Sequence, residues 1–140
     1  MKAILVPVDG SDPSVRALKL ADELARPTDA KLIVLHVFDS WNEIMAAFSL
    51  KDGKDLDDMV ERVSAKRIEE SIERAKPARP VERMVRVGAP ASEIIACAEK
   101  ERPDMIIMGT KGRSTLQELL VGSVSLKVLH RSPVPVTIVR

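Results

Sequence analysis

Between Gly109 and Ser125 the chain reads GTKGRSTLQELLVGSVS, and three of its six glycines fall in this one stretch. Gly122 is followed at once by Ser123, Val124 and Ser125, which open a helix-forming run. A helix N-terminus presents unpaired N–H groups and a partial positive charge, so it accepts an anion. Ser123 and Ser125 add hydroxyl donors, and Gly122 removes the side chain that would hold a phosphate away. Gly109 and Gly112 are expected to turn with positive φ and let the opposite wall approach closely. Lys111 and Arg113 raise the local potential, although loop cations equally stand solvated. The chemistry these residues suit is phosphate binding by main-chain amides. No G-x-x-x-x-G-K-[ST] occurs, and no G-x-G-x-x-G follows the first strand, which disfavours P-loop NTPases and dinucleotide enzymes.

The elements that must position this stretch are legible from hydrophobic patterning. KAILVPVD (2–9), KLIVLHVF (31–38) and DMIIMG (104–109) are continuous apolar runs and read as strands buried on both faces. VERMVRV (81–87) alternates apolar with charged and is half buried; VPVTIV (134–139) closes the chain as a strand. Helices are expected over 11–26, 55–76, 89–102 and from Gly122 to His130. In the first, Ser11 or Asp12 can cap, Pro13 suits the first turn, and Val15, Leu18, Ala21 and Ala25 share a face. In the second, Leu56, Val60, Val63 and Ile72 lie near one face.

This β-α alternation demands right-handed crossovers and a parallel sheet covered by helices on both sides, a three-layer α/β/α architecture. Glu82, Arg83 and Arg86 send the third strand to an edge, and Pro135, which cannot donate to a ladder, sends the fifth to the other. The strand order is therefore 3-2-1-4-5, with the direction of travel reversing between strands 1 and 4. Ligands in such sheets bind beyond the strand carboxyl ends at that point. PVDGS (7–11) and MGTKG (108–112) both end there.

Bulk properties narrow the class. The chain has 140 residues, enough for one domain spanning 1–140. A net charge of +1 supplies no field toward nucleic acid or anionic membrane, and three aromatics (Phe38, Trp41, Phe48) make no base-stacking platform. The apolar runs are too short to span a bilayer, and MKAILVPVDGSD is a poor signal peptide. Cys97 stands alone, so no intrachain disulfide or Cys/His zinc cluster forms, and a reducing cytoplasm is expected.

Gly109, Gly112, Gly122 and Ser123 fit the pattern glycine, two residues, glycine, nine residues, glycine, serine or threonine. With ILVPVDGS, LIVLHVF, DMIIMGTKG and SPVPVTIVR, the whole chain resembles the universal stress proteins, specifically their ATP-binding branch. The resemblance implies a Rossmann-like, adenine nucleotide alpha hydrolase-like fold of five parallel strands. It implies that Pro7, Val8 and Asp9 at the end of strand 1 and Val37 in strand 2 contact adenosine, Val37 mainly through its backbone. Met108, Gly109 and Gly112 would line ribose and phosphates, with Lys111 and Arg113 beside them. Gly122, Ser123, Val124 and Ser125 would hold the phosphate tail. ATP, or ADP or AMP, is the implied ligand, with Mg²⁺ or Mn²⁺ bridging its phosphates. A homodimer through the last strand is implied as well.

Plainer roles are open for several residues. Asp9 can cap the first helix or accept from a nucleotide. Trp41 and Phe48 can cover the ligand or close the sheet edge. His36 reads as a satisfied structural histidine, Cys97 as core, and Arg16, Asp22 and Glu23 as ordinary helix surface. The functional alternatives are a slow ATPase or autophosphorylating enzyme, with Glu118 as the candidate base, and an interaction module with an empty cleft.

Overall fold

The computed structural model describes residues 1–39, 56–110 and 121–140. Its elements are β1 (Ala3–Pro7), α1 (Asp12–Ala25), a short 3-10 turn (Arg26–Thr28), β2 (Lys31–Phe38), α2 (Leu56–Ala75), β3 (Val81–Val87), α3 (Pro90–Glu101), β4 (Met105–Gly109), α4 (Ser123–Arg131) and β5 (Val136–Val139). The five strands form one parallel sheet in the order β3-β2-β1-β4-β5, as the charge and proline patterns predict. Pro135, just before β5, offers its carbonyl to the Ile106 N–H at 2.9 Å.

Alternate residues of the central strands feed two core layers, as a pleated sheet requires. Ile4, Val6, Leu32, Val34 and Ile107 pack with Leu18 and Ala21 of α1 and Ile68 of α2. Leu5, Ile33, Leu35, Ile106 and Met108 pack with Ile94 and Cys97 of α3 and Val128 of α4. Each fully buried aliphatic side chain contributes about 1.5–3 kcal/mol, so the sheet is held from both sides. Cys97 is core, as expected.

Ser11, not Asp12, is the N-cap of α1: its hydroxyl accepts the Ser14 N–H at 3.3 Å. Val15, Leu18, Ala21 and Ala25 are all buried on that helix. Two expectations are corrected. Asp22 is 4% exposed rather than surface. Its carboxylate accepts from the Ala78 N–H, Arg26 and Arg79, so it ties the α2–β3 connection to α1. On α2 Ser64, Ile68 and Ser71 are buried, whereas Val60, Val63 and Ile72 of the expected face are only partly so, Ile72 packing against the core.

Candidate functional site

The carboxyl ends of β1 and β4 lie side by side. The pairing Leu5↔Ile106, carried forward, sets Pro7 level with Met108. Next to them β2 ends at Phe38, with Pro7 opposite Leu35. Val37, Met108 and Val124 all pack on the same core layer, so three of the expected contacts share one side of the crevice. Val8 does not: its side chain lies in the opposite layer, 3% exposed, and its N–H is bonded to the Leu35 carbonyl at 2.8 Å.

Asp9 begins a tight turn. Its Oδ1 accepts the Ser11 N–H at 2.9 Å, so the carboxylate organises the approach to α1 without being the cap. Gly10 follows with φ +82°, a conformation that favours glycine. Arg74 of α2 secures this turn by donating to the Gly10 carbonyl at 2.9 Å and pairing with Asp12. The hydrogen bond and charge of Arg74 hold the Asp12 carboxyl below its usual range.

His36 lies under the same end of the sheet, buried on the α2 side. Its Nδ1 is 2.9 Å from Ser64 Oγ, which makes it the satisfied structural histidine expected. Burial pulls its pKa down to about 4, the Arg67 charge adds to that, and Asp9 opposes it.

At the other wall, the glycine stretch departs from expectation in two ways. Gly109 is the last residue of β4, and positive φ among the described glycines occurs only at Gly10 and Gly88. Its glycine is required by packing instead. A Cβ there would stand 2.8 Å from Pro13 Cβ and 2.9 Å from the Pro13 carbonyl carbon and Ser14 nitrogen. β4 therefore abuts the first turn of α1. The Ser125 hydroxyl, expected to donate to phosphate, is buried and lies 2.8 Å from the Gly109 carbonyl and 3.1 Å from that of Thr110. Carbonyls at a strand end need donors, and the first turn of α4 supplies this one.

The Gly122 N–H bonds the Thr110 carbonyl at 2.6 Å, and the Thr110 N–H bonds Val139 at 2.7 Å. The two ends of the glycine stretch are thus clasped together and fastened to β5. Gly122 is the N-cap of α4 with no side-chain cap hydrogen bond, and the first helical bond runs from the Leu126 N–H to the Gly122 carbonyl. The N–H groups of Ser123, Val124 and Ser125 precede that bond and have no helical acceptor. Ser123 is exposed at this end. Lys111, Gly112 and Arg113 lie outside the described residues, as do Trp41, Phe48 and Glu118.

Sequence reasoning missed Ser14 and Arg74. Ser14 is 3% exposed, its Oγ donates to the Ser11 carbonyl at 2.9 Å, and it is 3.5 Å from the Asp9 nitrogen. The serines bracketing SDPS hint at that turn; nothing local marks Arg74, whose partners lie more than sixty residues away. Among the described residues no cluster of three or more His, Cys, Asp or Glu could hold a metal ion, and no helix is long and apolar enough to cross a membrane.

Comparison with known proteins matches residues 1–140 to the model of the universal stress protein family. The chain belongs to that family. A universal stress protein of Methanocaldococcus jannaschii, MJ0531, is 32% identical, the alignment covering 99% of this chain and 82% of the relative. The solved structure of a second universal stress protein from that organism, MJ0577, superposes with a TM-score of 0.80 at 32% identity, over 99% of this chain and 94% of the other. A universal stress protein solved in complex with cAMP superposes with a TM-score of 0.74 at 28% identity, covering 99% and 97%. The sheet order and the open end of α4 described above are thus set in a universal stress protein fold.

Proposed function

We propose that this universal stress protein binds an adenine nucleotide, with ATP as the preferred ligand and ADP and AMP as weaker ones. The observation that carries the reading is the start of α4. A side-chain-free N-cap leaves the N–H groups of Ser123, Val124 and Ser125 without a helical acceptor or a cap among the described residues, beside the switch point of the sheet. A related structure holding cAMP supports the choice of an adenine nucleotide.

In this reading the phosphates rest on the N–H groups of Ser123, Val124 and Ser125, with Gly122 giving them room. Gly112, Lys111 and Arg113 come from the same stretch. Adenosine lies against Val37 and Met108, with Asp9 accepting from its hydroxyls or amine and Pro7 and Val8 contributing main chain. The Ser125 hydroxyl keeps the clasp shut. Mg²⁺ or Mn²⁺ would be held chiefly by phosphate oxygens, since a small hard cation commonly takes substrate phosphates as ligands.

Occupancy would stabilise the clasp between Thr110 and Gly122 and, through the Thr110–Val139 bond, the edge strand β5. A homodimer through β5 and nucleotide-controlled sensing or partner docking in the cytoplasm follow as the working role. A nucleotide bound only by the folded state stabilises it by ~2.7 kcal/mol at a hundredfold excess over Kd. Melting curves with ATP, ADP, AMP and cAMP, with and without Mg²⁺, test this. Curves unmoved by all four would end the proposal.

A further inference from the structure

β3 is an edge strand, with no strand on its outer side in the described sheet. Met84 turns into the core, while Arg83, Val85 and Val87 face α2. With Val60, Ala65 and Ile68 of α2 they line an open groove of about 330 Å³. Val85 and Val87 are 44% and 49% exposed. Edge strands are usually blunted by charge. Here every charge on β3 is neutralised within the chain: Glu82 pairs with Lys31, Arg83 with Glu69, and Arg86 with Glu93.

What remains at the rim is acidic. Asp57 and Glu61 border the groove, and neither has an ion-pair partner among the described residues. Asp57 suits the positive end of α2, and Glu61 stands exposed a turn further on. Apolar floor, open strand edge and carboxylates unpaired among the described residues occur together in one place.

We propose that this groove receives an extended segment of a partner protein, laid along β3 as an added strand, with apolar side chains at alternate positions and lysine or arginine further along that same face. The open backbone edge supplies hydrogen bonds and the groove takes the alternate apolar side chains. Asp57 and Glu61 select the basic residues and reject acidic ones. A second copy of this chain is the poorer occupant, because it brings the same two carboxylates to the contact.

The test uses the full chain and a fluorescent peptide of about nine residues with valines in the middle of one face, lysines at the two ends of that same face and serines on the other, against the same peptide with glutamate for lysine. The lysine peptide should bind at least about tenfold more tightly, and added salt should narrow the gap. Val85→Lys, at a half-exposed position, should weaken it by about tenfold or more with the melting temperature unchanged. Asp57→Lys with Glu61→Lys should reverse the preference. Stabilisation by nucleotide should persist in Val85→Lys, which separates this surface from the nucleotide site. Equal binding of the two peptides, binding of neither, indifference to Val85→Lys, or a dimer that Val85→Lys dissolves would overturn the proposal.

Discussion

Ser125 Oγ sits 2.8 Å from the carbonyl oxygen of Gly109, across the mouth of the glycine-rich stretch. The same hydroxyl is 3.1 Å from the Thr110 carbonyl, so its one hydrogen serves the strand end. Ser125→Ala should therefore lower stability without any nucleotide, by about 1–2 kcal/mol, since the buried Gly109 carbonyl loses this donor. Urea midpoints check this. Nucleotide affinity should fall alike for AMP and ATP. A loss that grows with phosphate number while stability is unchanged would show the hydroxyl on the phosphates instead.

Gly109→Ala acts on packing. The added methyl would meet backbone atoms of Pro13 and Ser14 at 2.9 Å, and backbone cannot rotate away. Overpacking of this kind costs about 1–3 kcal/mol, readable as a lower melting temperature. A variant as stable as the parent would mean that α1 and β4 separate freely.

Gly122→Val separates folding from binding. Gly122 has φ −62° and ψ 158°, which any residue adopts. The variant should melt near the parent temperature yet lose most of the ATP-induced shift, because its side chain stands where the phosphates would sit. Calorimetric titration at equal protein concentration reads the difference. Undiminished ATP binding would remove the start of α4 from the site.

His36 predicts a pH dependence. Its folded pKa is depressed from 6.5 to about 4 by burial, so the unfolded chain binds the proton more readily. The stability tied to neutral His36 is fully present above pH 6.5 and is lost as pH falls toward 4. By pH 5 the loss is about 2 kcal/mol. In His36→Gln this slope between pH 7 and 5 should flatten in chemical denaturation. An unchanged slope would assign it to other groups.

Asp22 predicts a large effect from a residue that looks like surface. Burial alone would raise its pKa, but the Ala78 N–H, Arg26 and Arg79 outweigh it and hold the carboxyl below its usual value. Asp22→Ala leaves the largely buried Arg79 guanidinium without this partner, and about 3 kcal/mol of stability should go. Asp22→Asn should recover part of that by keeping an acceptor for Ala78. Denaturant midpoints of the two variants measure it.

The strand order was legible because the relevant signals are local. Unbroken apolar runs must be buried on both faces, and Glu82, Arg83, Arg86 and Pro135 are tolerable only at edges. The glycine–serine spacing likewise marks where α4 opens, since main-chain N–H groups are left free wherever a helix starts.

The role of each atom at that opening is another matter. Sequence spacing identifies Gly109 as special, but only the approach of Pro13 and Ser14 says why it is glycine. Ser125 is visible as a hydroxyl, yet its burial against Gly109 and Thr110 turns it from an expected phosphate donor into a clasp. Asp22 reads as helix surface until the chain returns at Ala78 and Arg79. By itself the sequence determined the family, the layered sheet and the glycine and serines that stand at the end of its fourth strand and the start of its last helix. Which of their polar groups stay free for a ligand was decided only in three dimensions, because a hydrogen bond is committed by whichever distant partner folding brings within 3 Å.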